Sequence, residues 1–237
     1  MEGRALVADT DVDDCQLIRD SLAAAEMDSL VVHNGMDALD RLRSEKFLLL
    51  VVDLCMPSPN GIDVTKAART AGPNQMTPIV VISGDQDHSA VSRAFQAGAN
   101  FFLYKPVEKA RLMSLVRATQ GSAEHEKRRF RRVSLQLKVK VDFEGKQFDG
   151  ETINVSLNGL LMRTNAEIPT GSRVWVSLSL TDQSEPVVCA GTIMRALGGN
   201  RTGVLLDQLK TEDSMRLQDF LLPLILQEDS REQVLKV

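Results

Sequence analysis

The chain has 237 residues, of which 43% are hydrophobic and 25% are charged, and its net charge is −4. This length allows two ordinary domains with separate cores, and the slightly acidic balance argues against a nucleic-acid-binding protein that works through overall positive charge. The three cysteines, Cys15, Cys55 and Cys189, are widely spaced without a CxxC pair, which predicts reduced thiols rather than a disulfide frame or a zinc site. No apolar run is long enough to span a membrane, so a cytoplasmic protein is expected.

The first 120 residues alternate short apolar runs with segments of helical period. The runs are Ala5–Ala8, Leu30–Val32, Phe47–Val52, Ile79–Ile82 and Phe101–Leu103. Apolar strands that alternate with amphipathic helices predict an α/β doubly wound sheet of five parallel strands, with chemistry at the carboxyl ends of the strands.

A linker at residues 121–132 ends in a basic run, Lys127–Arg132, and the period then changes to two. Six short strands with Gly-, Asn- and Pro-bearing turns predict an all-β antiparallel barrel over residues 133–229. A closing helix is predicted over 211–227, where Pro223 should kink it or end its regular part.

Polar residues stand at the carboxyl ends of the predicted parallel strands. Asp9 and Asp11 follow the first strand, Asp53 ends the third, Ser83 ends the fourth and Lys105 follows the fifth. Clustered carboxylates would suit a hard cation such as Mg²⁺, and Lys and Ser could hold the oxygens of a phosphoryl group. Each acidic residue alone has a plainer interpretation as the N-cap of a following helix.

The motif Asp53-Leu-Cys-Met-Pro57, with Ser83-Gly84 and Lys105-Pro106, resembles the receiver domain of two-component response regulators. The resemblance covers roughly residues 4–118 of a domain placed at residues 1–120, and predicts a flavodoxin-like fold. It implies that Asp53 is the phosphoacceptor, that Ser83, Lys105 and Phe102 sense the phosphoryl group, and that a sensor histidine kinase or phosphotransfer protein is the partner. It also implies Mg²⁺ held by Asp9, Asp11, Asp53 and the carbonyl of Cys55, and a cis peptide bond before Pro106.

One position departs from the receiver pattern. The family has two adjacent acidic residues after the first strand, whereas here Thr10 follows Asp9. A threonine hydroxyl is a poor substitute for a carboxylate on a hard dication. Asp11 could reach the metal if the loop bends; otherwise it caps the first helix.

The second half carries two further motifs, Arg128-x-x-x-Arg132 and, 22 residues after Arg132, Asn154-x-Ser156-x-x-Gly159. Alone, the first is a solvated basic cluster and the second a β-turn. Together they resemble the PilZ domain, a cyclic di-GMP receptor. The resemblance implies cyclic di-GMP binding by Arg128, Arg132, Asn154, Ser156 and Gly159.

The chemistry of the residues agrees with this resemblance. The planar guanidinium of arginine can meet guanine O6 and N7 in two parallel bonds or pair with phosphate. Arg129 is expected to add a phosphate contact.

We therefore expect a non-enzymatic response regulator with two inputs, without DNA binding, and leave homodimer formation open. The first alternative is a scaffold whose receiver is not phosphorylated because of Thr10. The second is nucleic-acid binding through the basic run, which predicts affinity that falls steeply with salt.

Overall fold

A computed structural model describes residues 3–70, 72–84, 88–119, 132–207 and 209–234. The chain divides into two compact units, with the boundary between residues 129 and 130. Each unit is described separately.

The first unit is a parallel sheet with helices between its strands. The elements are β1 (Ala5–Ala8), α1 (Val12–Ala23), β2 (Ser29–Val32), α2 (Gly35–Ser44), β3 (Leu49–Asp53), α3 (Gly61–Thr70), β4 (Ile79–Ser83), α4 (His88–Ala97), β5 (Phe101–Tyr104) and α5 (Lys109–Thr119). The strand order is β2-β1-β3-β4-β5, and each neighbouring pair is parallel. Strands β1, β3 and β4 are buried at every position, because helices cover both faces of a doubly wound sheet. The doubly wound prediction is confirmed.

The second unit is a closed antiparallel barrel followed by a helix. Its elements are β6 (Lys138–Phe143), β7 (Lys146–Ser156), β8 (Gly159–Thr164), β9 (Arg173–Leu178), β10 (Val187–Leu197), β11 (Arg201–Asp207) and α6 (Thr211–Val234). The strands close in the order β10-β11-β8-β7-β6-β9. The six-stranded barrel with a C-terminal helix is therefore confirmed.

The closing helix does not end at Pro223. α6 continues to Val234, beyond the predicted limit of residue 227. Leu221 and Leu222 are buried before the proline and Ile225 after it. Pro223 has no backbone N–H, so the helix lacks one hydrogen bond at this position. Burial of the apolar side chains on both sides of Pro223 stabilises the helix despite this loss.

The barrel also begins later than the alternating pattern indicates. Leu135 and Leu137 precede β6, and both are hydrogen-bonded to Thr152 of β7, whose backbone N–H donates to the Leu137 carbonyl at 2.9 Å. Thr152 Oγ1 accepts a hydrogen bond from Leu137 N at 2.9 Å and donates one to the carbonyl of Leu135. Alternation of apolar and polar residues shows which side chains face inward. It does not show with which strand an extended segment forms hydrogen bonds.

Candidate functional site

Four predicted site residues converge at the carboxyl edge of the parallel sheet. Lys105 Nζ lies 3.0 Å from Asp9 Oδ2 and 3.1 Å from Asp53 Oδ2. Asp9, Asp53 and Ser83 are buried, at 1%, 3% and 0% exposure, because parallel strands deliver their C-terminal residues to one protected crevice. The structure thus brings together an acidic pair, a hydroxyl and an ammonium from the ends of β1, β3, β4 and β5.

A third carboxylate, absent from the predicted set, also reaches this ammonium. Asp14 lies in the first turn of α1, and its Oδ2 is 2.9 Å from Lys105 Nζ. It was missed because Asp13 and Asp14 stand side by side in the sequence, and only the orientation of α1 turns one of them toward the crevice.

Asp11 has a different role from its neighbours. Its carboxylate accepts hydrogen bonds from the backbone N–H groups of Asp13 and Asp14, at 2.9 and 3.0 Å, and so forms the N-cap of α1. The bond from Asp14 N–H is the main reason that the pKa of Asp11 is lowered. Of the two roles considered for Asp11, the structure shows the cap.

The electrostatics of the cluster follow from burial and close opposite charge. Burial raises the pKa of Asp9, although a hydrogen bond from the backbone N–H of Asp11 and the Lys105 ammonium partly offset this effect. Burial alone would lower the pKa of Lys105, but hydrogen bonds to Asp14, Asp9 and Asp53 outweigh it and raise that pKa. Lys105 therefore stays a cation throughout the physiological range.

The loop after β3 orders the acceptor carboxylate. Cys55 N donates to Asp53 Oδ1 at 2.9 Å, and Cys55 Sγ lies 3.5 Å from Ser83 Oγ. A Cβ added at Gly61 would lie 2.1 Å from the Asp53 carbonyl oxygen, so the start of α3 can approach β3 this closely only with glycine.

Two further predictions lie beside the cluster. Phe102 is fully buried and packs edge-to-face on Tyr104, with ring centroids 5.0 Å apart. The Lys105–Pro106 peptide bond is cis, as predicted.

The receiver family implies a Mg²⁺ ion, and the crevice offers oxygen donors of the chemical type that such an ion prefers. Asp9 Oδ2 is buried and accepts no well-aligned hydrogen bond although Lys105 Nζ is 3.0 Å away, so it has spare acceptor capacity. Carboxylate oxygens are the ligands that a hard dication prefers. Within the described residues the acidic side chains surround the ammonium and are not arranged as a complete metal site.

The barrel has its own group of predicted residues at the β7–β8 hairpin. Arg132 Nη1 donates to Asn154 Oδ1 at 2.8 Å, which joins the two motifs across 22 residues. A Cβ added at Gly159 would lie 3.6 Å from Arg132 Nη2. The guanidinium therefore lies beside both the asparagine and the glycine of the second motif.

Gly159 and Ser156 shape this hairpin from within. A Cβ at Gly159 would lie 2.6 Å from the Val204 carbonyl oxygen on β11, so close backbone approach explains the glycine. Ser156 is 2% exposed and its Oγ donates to the Gly159 carbonyl at 2.9 Å. The turn itself is Leu157–Asn158, one position earlier than the Asn158-Gly159 pair suggests, because Gly159 already pairs with Ser156.

The chain attaches to the barrel directly after Arg132. Val133 and Val155 exchange two backbone hydrogen bonds, at 2.8 and 2.9 Å. The position of Arg132 is therefore fixed by the hydrogen bonds of the adjacent Val133. Arg128 and Arg129 lie outside the described residues.

Family profiles match both halves of the chain. The profile described as the response regulator receiver domain matches residues 5–117, and that of the PilZ domain matches residues 126–222. The chain joins a response regulator receiver domain to a PilZ domain. The three cysteines of this receiver–PilZ protein are free, as predicted. Among the described helices, none has the length and apolar character to cross a membrane.

Curated relatives match about half of the receiver–PilZ chain. The sensory/regulatory protein RpfC of Xanthomonas campestris pv. campestris is 37% identical over 112 residues, which are 46% of this chain and 15% of RpfC. The DNA-binding response regulator MtrA of Mycobacterium tuberculosis is 30% identical over 118 residues, half of each protein. The chain thus spans about half of MtrA and a small part of RpfC.

A solved structure shows the same partial likeness. The receiver domain of the Francisella response regulator 1452 is 26% identical, with a TM-score of 0.45, and the match covers 49% of this chain and 95% of that one.

Proposed function

We propose that this protein is a non-enzymatic switch with two inputs, a phosphoryl group on Asp53 and cyclic di-GMP on the barrel. The observation that carries the proposal is the Arg132–Asn154 hydrogen bond beside Gly159, because it unites two motifs that are distant in sequence. Such an assembled pair of an arginine fork and an amide suits a guanine-containing ligand.

On the barrel, Arg132 is the principal ligand-binding residue and Asn154 orients it. Cyclic di-GMP offers guanine edges and phosphates, both of which a guanidinium can meet in paired hydrogen bonds. Arg128 and Arg129 supply further positive charge from the preceding arm, and Gly159 lets the hairpin backbone pack closely against β11 beside Arg132.

On the receiver, Asp53 takes the phosphoryl group from a phosphohistidine of a sensor kinase or phosphotransfer protein. A carboxylate oxygen of Asp53 forms the bond to phosphorus as the P–N bond of the donor breaks and the imidazole leaves. Lys105 and Ser83 hold the phosphoryl oxygens by charge and hydrogen bonding. Asp9, Asp53 and the Cys55 carbonyl would hold Mg²⁺, and its positive charge would offset the negative charge of the phosphoryl oxygens.

Binding of cyclic di-GMP tests the barrel assignment. Calorimetric titration should detect the dinucleotide and not GTP, and Arg132→Ala should weaken binding by about 10- to 100-fold, as expected when a charged hydrogen-bonding group is lost. Arg173→Ala is the matched control, since it removes the same charge from β9, which pairs with neither β7 nor β8. Equal affinities for the two variants would refute the site.

The scaffold alternative is favoured by one feature of the receiver, the neutral Thr10 at a position where the family carries an acid. Incubation with acetyl phosphate and Mg²⁺, followed by phosphate-affinity electrophoresis, distinguishes the two functions. The switch predicts a shifted band that Asp53→Asn abolishes, whereas the scaffold predicts no shifted band in either protein.

DNA binding is not part of the proposal. MtrA is named as DNA-binding, but the likeness covers only half of it. The second half of this chain matches a PilZ domain instead.

A further inference from the structure

We propose that Asp14 supplies the carboxylate that this receiver lacks at Thr10, and so completes its divalent-cation site. The inference rests on the proposed function of the receiver and concerns a residue five positions after Asp9, on α1 rather than in the preceding loop.

The position of the Asp14 side chain is the first reason. Asp14 Oδ2 is 2.9 Å from Lys105 Nζ, the shortest of three contacts from Asp14, Asp9 and Asp53 to that nitrogen. Three carboxylates, from α1 and from the ends of β1 and β3, therefore lie around one point, which the ammonium holds in this structure. Within the described residues the three carboxylates are not yet arranged to hold a metal ion, so the inference is that they close on a dication that replaces the ammonium.

The neighbouring residues do not present a carboxylate to the crevice. Asp11 uses its carboxylate to cap α1, where it accepts two backbone N–H groups. Asp13 is exposed on the first turn of the helix, and Thr10 is exposed and carries only a neutral hydroxyl. Asp14 is half-buried, with 21% of its side chain accessible, and is turned to the crevice.

A second observation points to a cation at this edge. Asp9 is only 1% exposed, and its Oδ1 accepts hydrogen bonds from Asp11 N–H and Lys105 Nζ, at 2.9 and 3.2 Å. Its buried Oδ2 accepts no well-aligned hydrogen bond from any described group, although Lys105 Nζ is 3.0 Å away. A buried carboxylate oxygen without a directed donor is costly unless a cation compensates it. Lys105 gives partial compensation, since its one charge is shared among three carboxylates.

The expected chemistry is a three-carboxylate site for Mg²⁺ or Mn²⁺ in place of the family pattern. Hard dications bind carboxylate oxygens far better than neutral hydroxyls. Loss of Asp14 should therefore weaken metal binding strongly, whereas loss of Thr10 should matter little.

Mn²⁺ binding to the full chain tests the inference directly. The electron paramagnetic resonance signal of free Mn²⁺ gives the dissociation constant, and competition gives that of Mg²⁺. We expect Asp14→Asn to bind at least about tenfold more weakly than the unmodified chain and Asp13→Asn to stay within about twofold. Both variants remove one charge from the same helical turn, so their difference excludes long-range electrostatics and helix-dipole effects.

The outcomes separate this inference from the proposed function. An unmodified chain that binds no Mn²⁺ would refute the phosphorylatable receiver itself. Metal binding that is equal in Asp14→Asn and Asp13→Asn would overturn only the role of Asp14.

A rescue variant guards against a simple structural defect in Asp14→Asn. The double variant T10D/D14N returns a carboxylate to the family position, and we expect it to recover most of the lost affinity. No recovery in a protein with the thermal midpoint of the unmodified chain would count against the inference.

Discussion

At the scale of single residues, Lys105 is the charge on which the receiver crevice depends. Its ammonium contacts Asp9, Asp14 and Asp53, two of which are almost fully buried. Without it, three carboxylates would remain at close range with no opposite charge, and removal of one partner from a buried ion pair is strongly destabilising.

Lys105→Met should therefore lower the free energy of unfolding of the receiver by about 3 kcal/mol at pH 7 without metal. The loss should shrink as the pH falls, because the pKa of Asp9 is already raised by burial and protonation removes the repulsion. Chemical denaturation of the isolated residues 1–129, followed by circular dichroism at pH 7 and pH 5, measures both effects.

Lys109→Met is the control, since Lys109 is exposed at the start of α5. It should leave stability unchanged at both pH values. A deficit in Lys105→Met that grows on acidification would contradict the electrostatic explanation.

The cysteines give a second prediction at this scale. Burial raises the pKa of Cys15 to about 11 and that of Cys189 to about 12, whereas Cys55 is exposed. Because the thiolate is the reactive form, iodoacetamide at pH 8 should label Cys55 alone in the native protein.

Labelling of the two buried thiols should need either denaturant or strongly alkaline pH. In the unfolded chain they ionise near their ordinary pKa of 9.0, so their contribution to stability is lost as the pH rises above that value. Mass spectrometry of tryptic peptides reads the result, and rapid labelling of Cys189 at pH 8 would show that the barrel core is open.

At the scale of elements, the β7–β8 hairpin depends on one glycine. A Cβ at Gly159 would lie 2.6 Å from the Val204 carbonyl oxygen, and backbone cannot move aside as a flexible side chain can. Gly159→Ala should lower the free energy of unfolding of the barrel by about 1–3 kcal/mol, the usual effect of overpacking. It should also displace Arg132 and so weaken ligand binding.

Trp175 on β9 is the only tryptophan of the chain, so its fluorescence during urea denaturation reports on the barrel. Gly198→Ala is the control, because a Cβ there meets nothing within 4 Å. Equal denaturation midpoints for the two alanine variants would contradict the close-approach argument.

The elements also show what can be predicted from sequence and what cannot. The five parallel strands are predictable because burial on both faces leaves continuous apolar runs such as Phe47–Val52. The convergence of Asp9, Asp53 and Lys105 follows from topology, since parallel strands end at one edge. The place of Asp14 does not follow, because it depends on how α1 is rotated against the sheet.

In the barrel, the motif residues were predictable and their mutual contacts were not. Spacing alone cannot show that Asn154 accepts from Arg132, or that Ser156 is directed into its own hairpin. Those contacts depend on the bulge between Thr152 and Asn154, which shifts the register by one residue. Sequence periodicity carries no signal for such a shift.

At the scale of the whole molecule, each of the two compact units carries one proposed input. If phosphorylation changes the affinity for cyclic di-GMP, then cyclic di-GMP must change the affinity for the phosphoryl mimic by the same factor. The arm that carries Arg128 and Arg132 joins the two domains in sequence and is the segment through which we expect the coupling.

The most direct measurement is calorimetric titration of the full chain with cyclic di-GMP, with GTP as control, before and after treatment with beryllofluoride and Mg²⁺. The two-input switch predicts selective binding whose dissociation constant shifts about fivefold or more with the mimic, the lower end of ordinary allosteric coupling. Selective binding that ignores the mimic would leave only the scaffold function. Absence of cyclic di-GMP binding in both states would contradict the proposal that the barrel is a cyclic di-GMP receptor.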